Sequence, residues 1–315
     1  MGVVGTGAMG QHHARIYYEL PGVELVAVAD VNERSAKKNA EPYGAEYYTD
    51  YKELLNKVDG VSIAVPTTLH KEVALQFLSK GVHVLIEKPI ASTLEEADRM
   101  IDAAKQSNVL LAVGHVERFN PGVRKLNDVL KNEKIIQVGA LRCGPSIKNR
   151  DESVGSVIFD LMTHDIDVMR YLIKSEPTDI VARGGKLNSE YDNYATALIT
   201  LENGVLATFS ANRITQKKIR KLLVTCEDKL IELDYINQNI EVYREAMPEY
   251  KIEGGKMTYK QENIVEKVEV QKKEPLKMEL QNFVNCIKNH EEPEVSGVVG
   301  KKTLEIALRV EEAMK

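Results

Sequence analysis

A glycine-rich segment near the start of the chain constrains the fold more than any other feature. Residues Gly5–Gly10 (GTGAMG) have the spacing GxGxxG, follow the apolar pair Val3-Val4 and open a stretch of helical spacing. In a strand–turn–helix unit the first glycine permits the tight turn, the second lets the backbone approach a pyrophosphate, and the third lets the helix pack on the sheet. Such a triplet is weak by itself, but between a strand and a helix it predicts a dinucleotide site at the helix N-terminus.

The next predicted strand, Val23–Asp30, ends in an acid at the separation expected of a ribose-binding carboxylate, since 30 − 10 = 20 residues from the last glycine. A carboxylate accepts hydrogen bonds from ribose hydroxyls and repels a 2′-phosphate. Asp30 therefore predicts NAD as the cofactor. Arg34 leaves NADP open, because a guanidinium can neutralise a 2′-phosphate.

The first third of the chain alternates short apolar runs with helical stretches. Predicted strands after Asp30 are Gly60–Pro66, Val82–Glu87 and Val109–Gly114, and predicted helices are Asp50–Lys57, Leu69–Lys80 and Thr93–Ser107. The runs are nearly continuous, as in strands covered on both faces of a parallel sheet. This pattern predicts an α/β, doubly wound Rossmann domain over residues 1–119, with Ser92 or Thr93 capping one helix.

Beyond about residue 120 the predicted strands follow one another mostly without helices. They are Ile135–Arg142, Ile180–Leu187, Tyr194–Leu201, Gly204–Ala211, Lys221–Cys226, Lys229–Leu233 and Ile240–Tyr243. Asn203-Gly204 and Glu227-Asp228 are predicted hairpin turns. A helix over Phe159–Ile173 and two more near 275–289 and 298–314 complete a predicted α+β domain over 120–315, with a largely antiparallel open sheet for substrate binding and oligomerisation. The Lys- and Glu-rich stretch Lys256–Glu274 is predicted to be a solvated edge strand and loop.

Composition excludes several function classes. The 315 residues have a net charge of −5, which argues against a nucleic-acid partner. No apolar run approaches the roughly 18 residues of a membrane helix, so no membrane partner is predicted. The three cysteines, Cys143, Cys226 and Cys286, are far apart, without metal-ligand spacing, which favours a reduced cytoplasmic protein and no metal.

The chain resembles the glucose–fructose oxidoreductase/inositol dehydrogenase/MocA (Gfo/Idh/MocA) family over nearly its whole length. Besides the glycine motif and Asp30, the matching motifs are Val65–His70 (VPTTLH), Glu87-Lys88-Pro89 and Asp160…His164-Asp165. The resemblance implies that Lys88 lies near the nicotinamide ring and that a helix of the second domain presents Asp160 and His164 to the substrate. The family commonly has Asn in the first of these motifs, where this chain has Thr67-Thr68; the change affects cofactor contacts more than the reaction class.

These residue types suit the oxidation of a secondary alcohol with NAD, in which a group within hydrogen-bond reach must take the hydroxyl proton. An unperturbed lysine amine has a pKa near 10.4 and an imidazole a pKa of about 6.5. Burial and the positive nicotinamide can lower the lysine pKa into the working range, whereas the imidazole needs no such shift. Both groups can therefore serve, and Lys88 and His164 are assigned jointly as the base. Asp160 lies four residues before His164 on the predicted helix, so its carboxylate can orient the imidazole or the sugar hydroxyl.

The motifs and the resemblance together define the predicted site. The predicted catalytic residues are Lys88, His164 and Asp160. The predicted cofactor-binding residues are Gly5, Thr6, Gly7, Ala8, Met9, Gly10, Asp30, Arg34, Pro66, Thr67, His70, Glu87, Lys88 and His115. The predicted substrate-binding residues are Lys88, Arg118, Asn120, Arg150, Asp160 and His164. For His70 and His115 a structural role stays open beside a cofactor contact.

Three segments resemble the branch of UDP-N-acetylglucosamine 3-dehydrogenases. They are residues 115–121 (HVERFNP), Arg150-Asp151 and Asp160–Asp167. That resemblance implies oxidation of the sugar 3-hydroxyl, with Arg118 and Arg150 as candidates for binding the diphosphate. An inositol or free-sugar dehydrogenase is the alternative enzyme, and a non-catalytic NAD-binding regulator is the alternative class. Relatives assemble through the open sheet, which implies a homodimer or homotetramer.

Overall fold

The computed structural model describes residues 1–145, 155–245, 249–253, 256–260 and 263–315, and these form two compact units. The first comprises Met1–Phe119 and Glu274–Leu308, and the second comprises Asn120–Lys273 and Arg309–Lys315. The break at residue 119 coincides with the predicted domain boundary. The contiguous division into 1–119 and 120–315 differs from the structure in its last segment, which returns to the first unit.

The first unit is built on a six-stranded, wholly parallel sheet with strand order β3-β2-β1-β4-β5-β6. Most of its strand residues are buried, as the continuous apolar runs predict. The strands are shorter than the runs, because several apolar residues belong to the adjoining turns. They are β1 (Gly2–Val4), β2 (Ala27–Ala29), β3 (Glu46–Tyr48), β4 (Gly60–Ile63), β5 (His83–Glu87) and β6 (Leu111–Gly114).

Four helices connect these strands: α1 (Gly10–Glu19), α2 (Glu33–Ala40), α3 (His70–Leu78) and α4 (Leu94–Gln106). The predicted cap of α4 is confirmed, since the Thr93 hydroxyl accepts a hydrogen bond from the Glu96 N–H at 3.2 Å. The helix predicted over Asp50–Lys57 is wrong. That segment forms only a short 3₁₀ turn over Tyr51–Leu54, capped by the Asp50 side chain.

The second unit contains an eight-stranded sheet with strand order β16-β13-β12-β11-β7-β10-β9-β8. Every neighbouring pair is antiparallel except β7 with β10, so the largely antiparallel sheet is confirmed. The strands are β7 (Ile135–Cys143), β8 (Pro177–Gly185), β9 (Tyr194–Leu201), β10 (Leu206–Asn212), β11 (Ile219–Cys226), β12 (Leu230–Asp234), β13 (Asn239–Glu245) and β16 (Asn263–Val268), while β14 (Glu249–Glu253) pairs with β15 (Lys256–Lys260) as a separate hairpin.

Both predicted hairpin turns of this sheet are present. Gly204 has φ of +82° between β9 and β10, and the Asn203 side chain accepts a hydrogen bond from the Val205 N–H at 3.2 Å. Glu227-Asp228 separates β11 from β12, where the Cys226 N–H donates to the Lys229 carbonyl at 2.8 Å. The edge strand predicted within Lys256–Glu274 is β16.

Among the described residues, the α-helices that lie wholly in the second unit are α5 (Pro121–Val129) and α6 (Thr163–Ile173). The helix predicted as continuous over Phe159–Ile173 differs at its start. Residues Ile158–Met162 form a π-helical turn that leads directly into α6. The wider turn alters the rotation of Asp160 relative to His164 from that of a regular α-helix.

The C-terminal helices are α7 (Pro275–Asn289) and α8 (Gly297–Ala313). All of α7 and most of α8 belong to the first unit, which corrects their predicted place in the second domain. The physical reason lies in the apolar face of α7. Leu280 and Phe283 are buried in one core cluster with Val3, Ala14 and Tyr17 from β1 and α1.

Two further features concern the cysteines and the hydrophobicity of the helices. Cys143, Cys226 and Cys286 are buried free thiols. Within the described part of the chain, no helix combines the length and the apolar character needed to cross a bilayer.

Candidate active site

The predicted cofactor-binding residues lie along one edge of the parallel sheet. The strands β1, β2, β4, β5 and β6 end at this edge, and the segments that follow them contain the glycine loop, Asp30, Pro66-Thr67, Lys88 and His115. Because the carboxyl ends of parallel strands share one edge, the fold gathers five separate sequence motifs there.

The glycine loop satisfies the steric demands that its motif predicts. Gly5 has φ of +85°, a left-handed conformation that disfavours other residues. A Cβ on Gly10 would lie 1.8 Å from the Gly5 carbonyl oxygen, so the start of α1 requires glycine. A Cβ on Gly7 would meet no atom within 4 Å, so this position faces open space.

This open space fits the pyrophosphate of a dinucleotide. Gly7 and Ala8 are exposed, and no side chain caps the N-terminus of α1 within the described residues. The N–H groups of the first turn and the positive end of the helix dipole are therefore directed at the loop. Gly7, Ala8, Met9 and Gly10 would hold the phosphates of NAD.

Asp30 is held by three hydrogen bonds from the protein. Its Oδ2 accepts from the Thr6 N–H at 2.7 Å and from the Thr6 hydroxyl at 2.8 Å, and its Oδ1 accepts from the Asn32 N–H at 2.9 Å. Since Thr6 Oγ donates to Asp30, it accepts from the Ser35 hydroxyl at 2.8 Å. Asp30 is thus a fixed carboxylate beside the glycine loop, while Arg34 is exposed on the first turn of α2.

Glu87 is the last residue of the buried strand β5, Lys88 follows it, and the Lys88–Pro89 peptide is cis. Glu87 Oε1 lies 2.9 Å from His13 Nε2 on α1, and both side chains are almost wholly buried. Burial acts to raise the pKa of Glu87, but the hydrogen bond from His13 and the charges of His13 and Lys88 outweigh it and lower the pKa. Glu87 is therefore an ionised carboxylate beside Lys88.

His70 connects the segments that follow β4 and β5. Its Nδ1 lies 3.0 Å from the Pro89 carbonyl oxygen, and its Nε2 lies 3.0 Å from that of Val65. Burial lowers its pKa, and the hydrogen bonds to backbone carbonyls oppose this. Both ring nitrogens contact the protein backbone, which supports the structural role of His70, and its cofactor contact stays a prediction.

The remaining predicted cofactor residues differ in exposure. Pro66 is exposed and Thr67 half-buried, in a 3₁₀ turn after β4. His115 is 2% exposed, and its backbone N–H donates to the Val113 carbonyl.

In the second unit, Asp160 forms an ion pair with Arg213, whose Nη1 lies 3.3 Å from Asp160 Oδ2. Arg213 is also tied to the chain before the π-helical turn, since its Nη2 donates to the Gly155 carbonyl at 2.6 Å. His164 is half-buried in the first turn of α6. Asp160 is therefore a partnered, oriented carboxylate.

Asp165, the neighbour of His164, forms a bidentate pair with Arg142 of β7. The distances are 2.7 Å from Nε to Oδ2 and 2.9 Å from Nη2 to Oδ1, and both side chains are buried. The Arg142 guanidinium lies over the Tyr235 ring, 4.9 Å from its centroid. A planar, bidentate pair determines direction as well as distance, so it anchors the first turn of α6 to the sheet.

The predicted substrate residues beyond Asp160 and His164 have mixed outcomes. Asn120 caps α5: its Oδ1 accepts from the Gly122 N–H, and its Nδ2 donates to the Tyr235 carbonyl, each at 3.0 Å. These hydrogen bonds give Asn120 a structural role, and its substrate contact stays a prediction. Arg118 is buried in the 3₁₀ turn Val116–Phe119. Arg150 lies outside the described residues.

Sequence reasoning missed three polar residues of these clusters: His13, Arg142 and Arg213. His13 and Arg142 lie on apolar faces of α1 and β7, and Arg213 directly follows the last residue of β10. His13 shares the buried face of α1 with Ile16 and Tyr17, at helical spacing. Arg142 follows Val138 and Ala140 at inward positions of β7, and Arg213 continues the inward series Ala207, Phe209, Ala211. A buried charge at an inward position requires a partner, so the period of two was an available signal.

Comparisons with known proteins identify the family of the chain. Residues 1–115 match the profile of an oxidoreductase family with an NAD-binding Rossmann fold, and residues 136–232 match the GFO/IDH/MocA C-terminal domain. The chain is 32% identical to the UDP-N-acetylglucosamine 3-dehydrogenase of Acidithiobacillus ferrooxidans, over 100% of this chain and 96% of that protein.

Other similarities extend the same picture. A crystal form of that Acidithiobacillus ferrooxidans enzyme superposes with a TM-score of 0.89 at 32% identity, covering 99% of this chain and 96% of the other. The chain is also 27% identical to the myo-inositol 2-dehydrogenase of Thermotoga maritima, over 96% of this chain and 92% of the relative. The protein therefore belongs to the Gfo/Idh/MocA family of NAD-dependent oxidoreductases.

Proposed function

We propose that this protein is a dehydrogenase that oxidises a secondary hydroxyl of a nucleotide sugar, the 3-hydroxyl of UDP-N-acetylglucosamine. The observation that carries the proposal is the full-length similarity, at 32% identity, to an enzyme named for that reaction. The presence of Lys88, Asp160 and His164 at the motif positions supports a catalytic role over a regulator that only binds NAD.

The chemistry is divided between a hydride and a proton. NAD, when bound, accepts the hydride that leaves the carbinol carbon. Lys88 and His164 remain joint candidates for the base that removes the hydroxyl proton. The carboxylate of Asp160, oriented by Arg213, accepts a hydrogen bond from the substrate hydroxyl or from the imidazole. The ionised Glu87 supplies negative charge beside Lys88.

Substrate binding is proposed to involve two arginines. Arg118 and Arg150 keep their proposed role at the diphosphate, because a guanidinium binds phosphate oxygens bidentately. Asn120 is left out of this proposal, since its side chain is engaged in capping α5.

Assembly is proposed to use the outer face of the eight-stranded sheet. Val181, Leu198 and Leu223 lie on the same face, in a row set by the strand register, and their exposed fractions are 49%, 41% and 38%. Thr208 and Gly139 lie between Leu198 and Leu223 in this row. Exposed apolar side chains aligned on one sheet face favour a homodimer or homotetramer.

The proposed function is tested by NADH formation from NAD with a panel of UDP-N-acetylglucosamine, other nucleotide sugars, inositol and glucose. We expect turnover with UDP-N-acetylglucosamine, with an acceptor added to reoxidise NADH that stays bound. Lys88→Ala and His164→Ala should each reduce kcat by about a hundredfold or more, while NAD still binds. Turnover of inositol with no nucleotide sugar oxidised would favour the second candidate, an inositol dehydrogenase, which the similarity to the Thermotoga maritima enzyme supports.

A further inference from the structure

The buried histidine of the phosphate-binding helix has one polar contact, and that contact reaches the Lys88 motif. His13 is 0% exposed on α1, and its Nε2 lies 2.9 Å from Glu87 Oε1. Its Nδ1 is buried and finds no hydrogen-bond partner among the described residues. A leucine or methionine would pack at this position without a polar atom to satisfy, so the contact with Glu87 is the physical reason for a histidine here.

The direction of the hydrogen bond follows from the chemistry of its partners. Burial acts to raise the pKa of Glu87, but the hydrogen bond from His13 and the nearby positive charges outweigh it and lower the pKa. An ionised carboxylate only accepts hydrogen bonds, so the contact runs from His13 Nε2 to Glu87 Oε1.

The other Glu87 oxygen is confined on two sides. Its Oε2 accepts a hydrogen bond from the Lys88 N–H at 3.2 Å. A Cβ on Gly114 of β6 would lie 3.1 Å from the same oxygen, a tight contact, so a side chain at this position would press on the carboxylate. Glu87 therefore connects α1, through His13, with the backbone from which the Lys88 side chain projects.

We propose that His13 is a positioning residue for Lys88, acting through the Glu87 carboxylate. The inference rests on the proposed function, in which Lys88 takes part in proton removal. It adds a rigid connection between the helix that binds pyrophosphate and the strand end that presents the amine. Loss of the His13 donor frees one Glu87 oxygen and lets the carboxylate and the Lys88 backbone shift together.

The first test compares two substitutions at His13. His13→Met keeps volume and removes the donor, whereas His13→Gln places an amide N–H where Nε2–H lies. We expect His13→Met to reduce kcat about ten- to a hundredfold, because small displacements of catalytic groups have effects of that size. His13→Gln should stay within about tenfold of wild type, and the Kd for NAD should change less than about threefold in both variants.

A matched control is available on the same helix. Tyr17 is also buried, and its hydroxyl is hydrogen-bonded to the Ser62 hydroxyl of β4 at 2.7 Å, so its polar contact does not involve Glu87. Tyr17→Phe removes a buried hydrogen bond of α1 and should leave kcat unchanged. If His13→Met lowers kcat no more than Tyr17→Phe does, or if it weakens NAD binding as strongly as it lowers kcat, the positioning role is overturned.

A double-mutant cycle tests the route through Glu87. If His13 acts through that carboxylate, His13→Met should reduce kcat far less in the Glu87→Gln background than in the wild type, because contacting residues of one network are non-additive. Independent, additive losses would contradict the proposal.

A readout that needs no substrate separates this inference from the proposed function. The rate at which an amine-specific reagent modifies Lys88, followed by peptide mass spectrometry, depends on the exposure and protonation of the amine. We expect this rate to change about threefold or more in His13→Met, with recovery in His13→Gln and no change in Tyr17→Phe. If the wild type oxidises no sugar but this pattern holds, the proposed function fails and the positioning role stands. An unchanged rate in His13→Met overturns the positioning role whichever substrate is found.

Discussion

The Asp30 carboxylate is held in place by the protein and is predicted to bind the ribose of the cofactor. Its oxygens accept hydrogen bonds from Thr6 and Asn32, which orient the group, and its charge remains beside the glycine loop. A carboxylate fixed in this way does not need to reorganise when it accepts a ribose hydroxyl. We therefore propose that Thr6 contributes to cofactor binding through Asp30 as well as through the loop backbone.

Asp30→Ala should weaken NADH binding about ten- to a hundredfold, since a hydrogen bond to a charged group contributes about 1.5–3 kcal/mol. The measurement is the Kd from NADH fluorescence, with NADPH compared in parallel. Asp59→Ala is the control, because Asp59 is an exposed acid that precedes β4 at the other end of the same sheet. Unchanged NADH affinity in Asp30→Ala would remove the ribose assignment.

His70 predicts a pH dependence of stability. Burial lowers the pKa of its imidazole in the folded protein, so the folded state binds the proton more weakly than the unfolded chain does. Above the unfolded pKa of about 6.5 the imidazole is neutral in both states, and the folded protein keeps its full stability. As the pH falls below that value, the unfolded chain takes up the proton first, and the folded state loses stability. We expect the free energy of unfolding of the wild type to decrease more steeply below about pH 6.5 than that of His70→Gln.

Urea unfolding at a series of pH values measures this difference. His12→Gln is the control, because His12 is an exposed histidine of the first unit. Equal pH slopes for the wild type and His70→Gln would mean that the His70 pKa is the same in both states.

At the scale of elements, helix caps decide where segments begin. Thr93 precedes α4 with extended backbone, and its hydroxyl accepts from the Glu96 N–H. Glu96 also forms an ion pair with Lys71 of α3 at 2.9 Å, so the cap orders a residue that links two helices. Asn120 is likewise the N-cap residue of α5.

Thr93→Ala should reduce the free energy of unfolding by about 1 kcal/mol, the usual effect of losing an N-cap. The neighbouring exposed residue Ser92 offers a matched control, and Ser92→Ala should change it by less than about 0.5 kcal/mol. Denaturant unfolding followed by circular dichroism gives both values. A Thr93→Ala variant as stable as Ser92→Ala would contradict the capping role.

At the scale of the whole molecule, the eight-stranded sheet has one buried and one partly apolar exposed face. Along β9 the residues alternate between exposed and buried almost without exception. Exposed leucines on such a face are the residues whose substitution should affect assembly most.

Leu198→Lys together with Leu223→Lys should convert the proposed homo-oligomer to monomers, because two charges per subunit would have to be buried without partners. Sedimentation velocity measures the outcome. Val298→Lys is the control, since Val298 is 51% exposed on α8. An oligomer that survives the double substitution would place the subunit interface elsewhere.

Much of the fold was predictable because its signals are short-range. The six glycine-loop residues, the buried apolar runs of β4 to β6, the Thr93 cap and the Asn203-Gly204 turn each depend on a few neighbouring residues. The errors occurred where a local pattern has two outcomes. Asp50–Lys57 has helical spacing but forms only a 3₁₀ turn, and the segment before α6 adopts a π-helical turn.

The sequence by itself determined the family, the parallel sheet, the NAD-binding loop and the positions of Lys88, Asp160 and His164, since spacing within motifs specifies them. Only the tertiary structure decided their partners. Glu87 contacts His13 across 74 residues of chain, Asp160 contacts Arg213 across 53, and α7 returns to pack with β1. The physical reason is that a buried charge selects its partner by which elements become neighbours, and local periodicity carries no information about that choice.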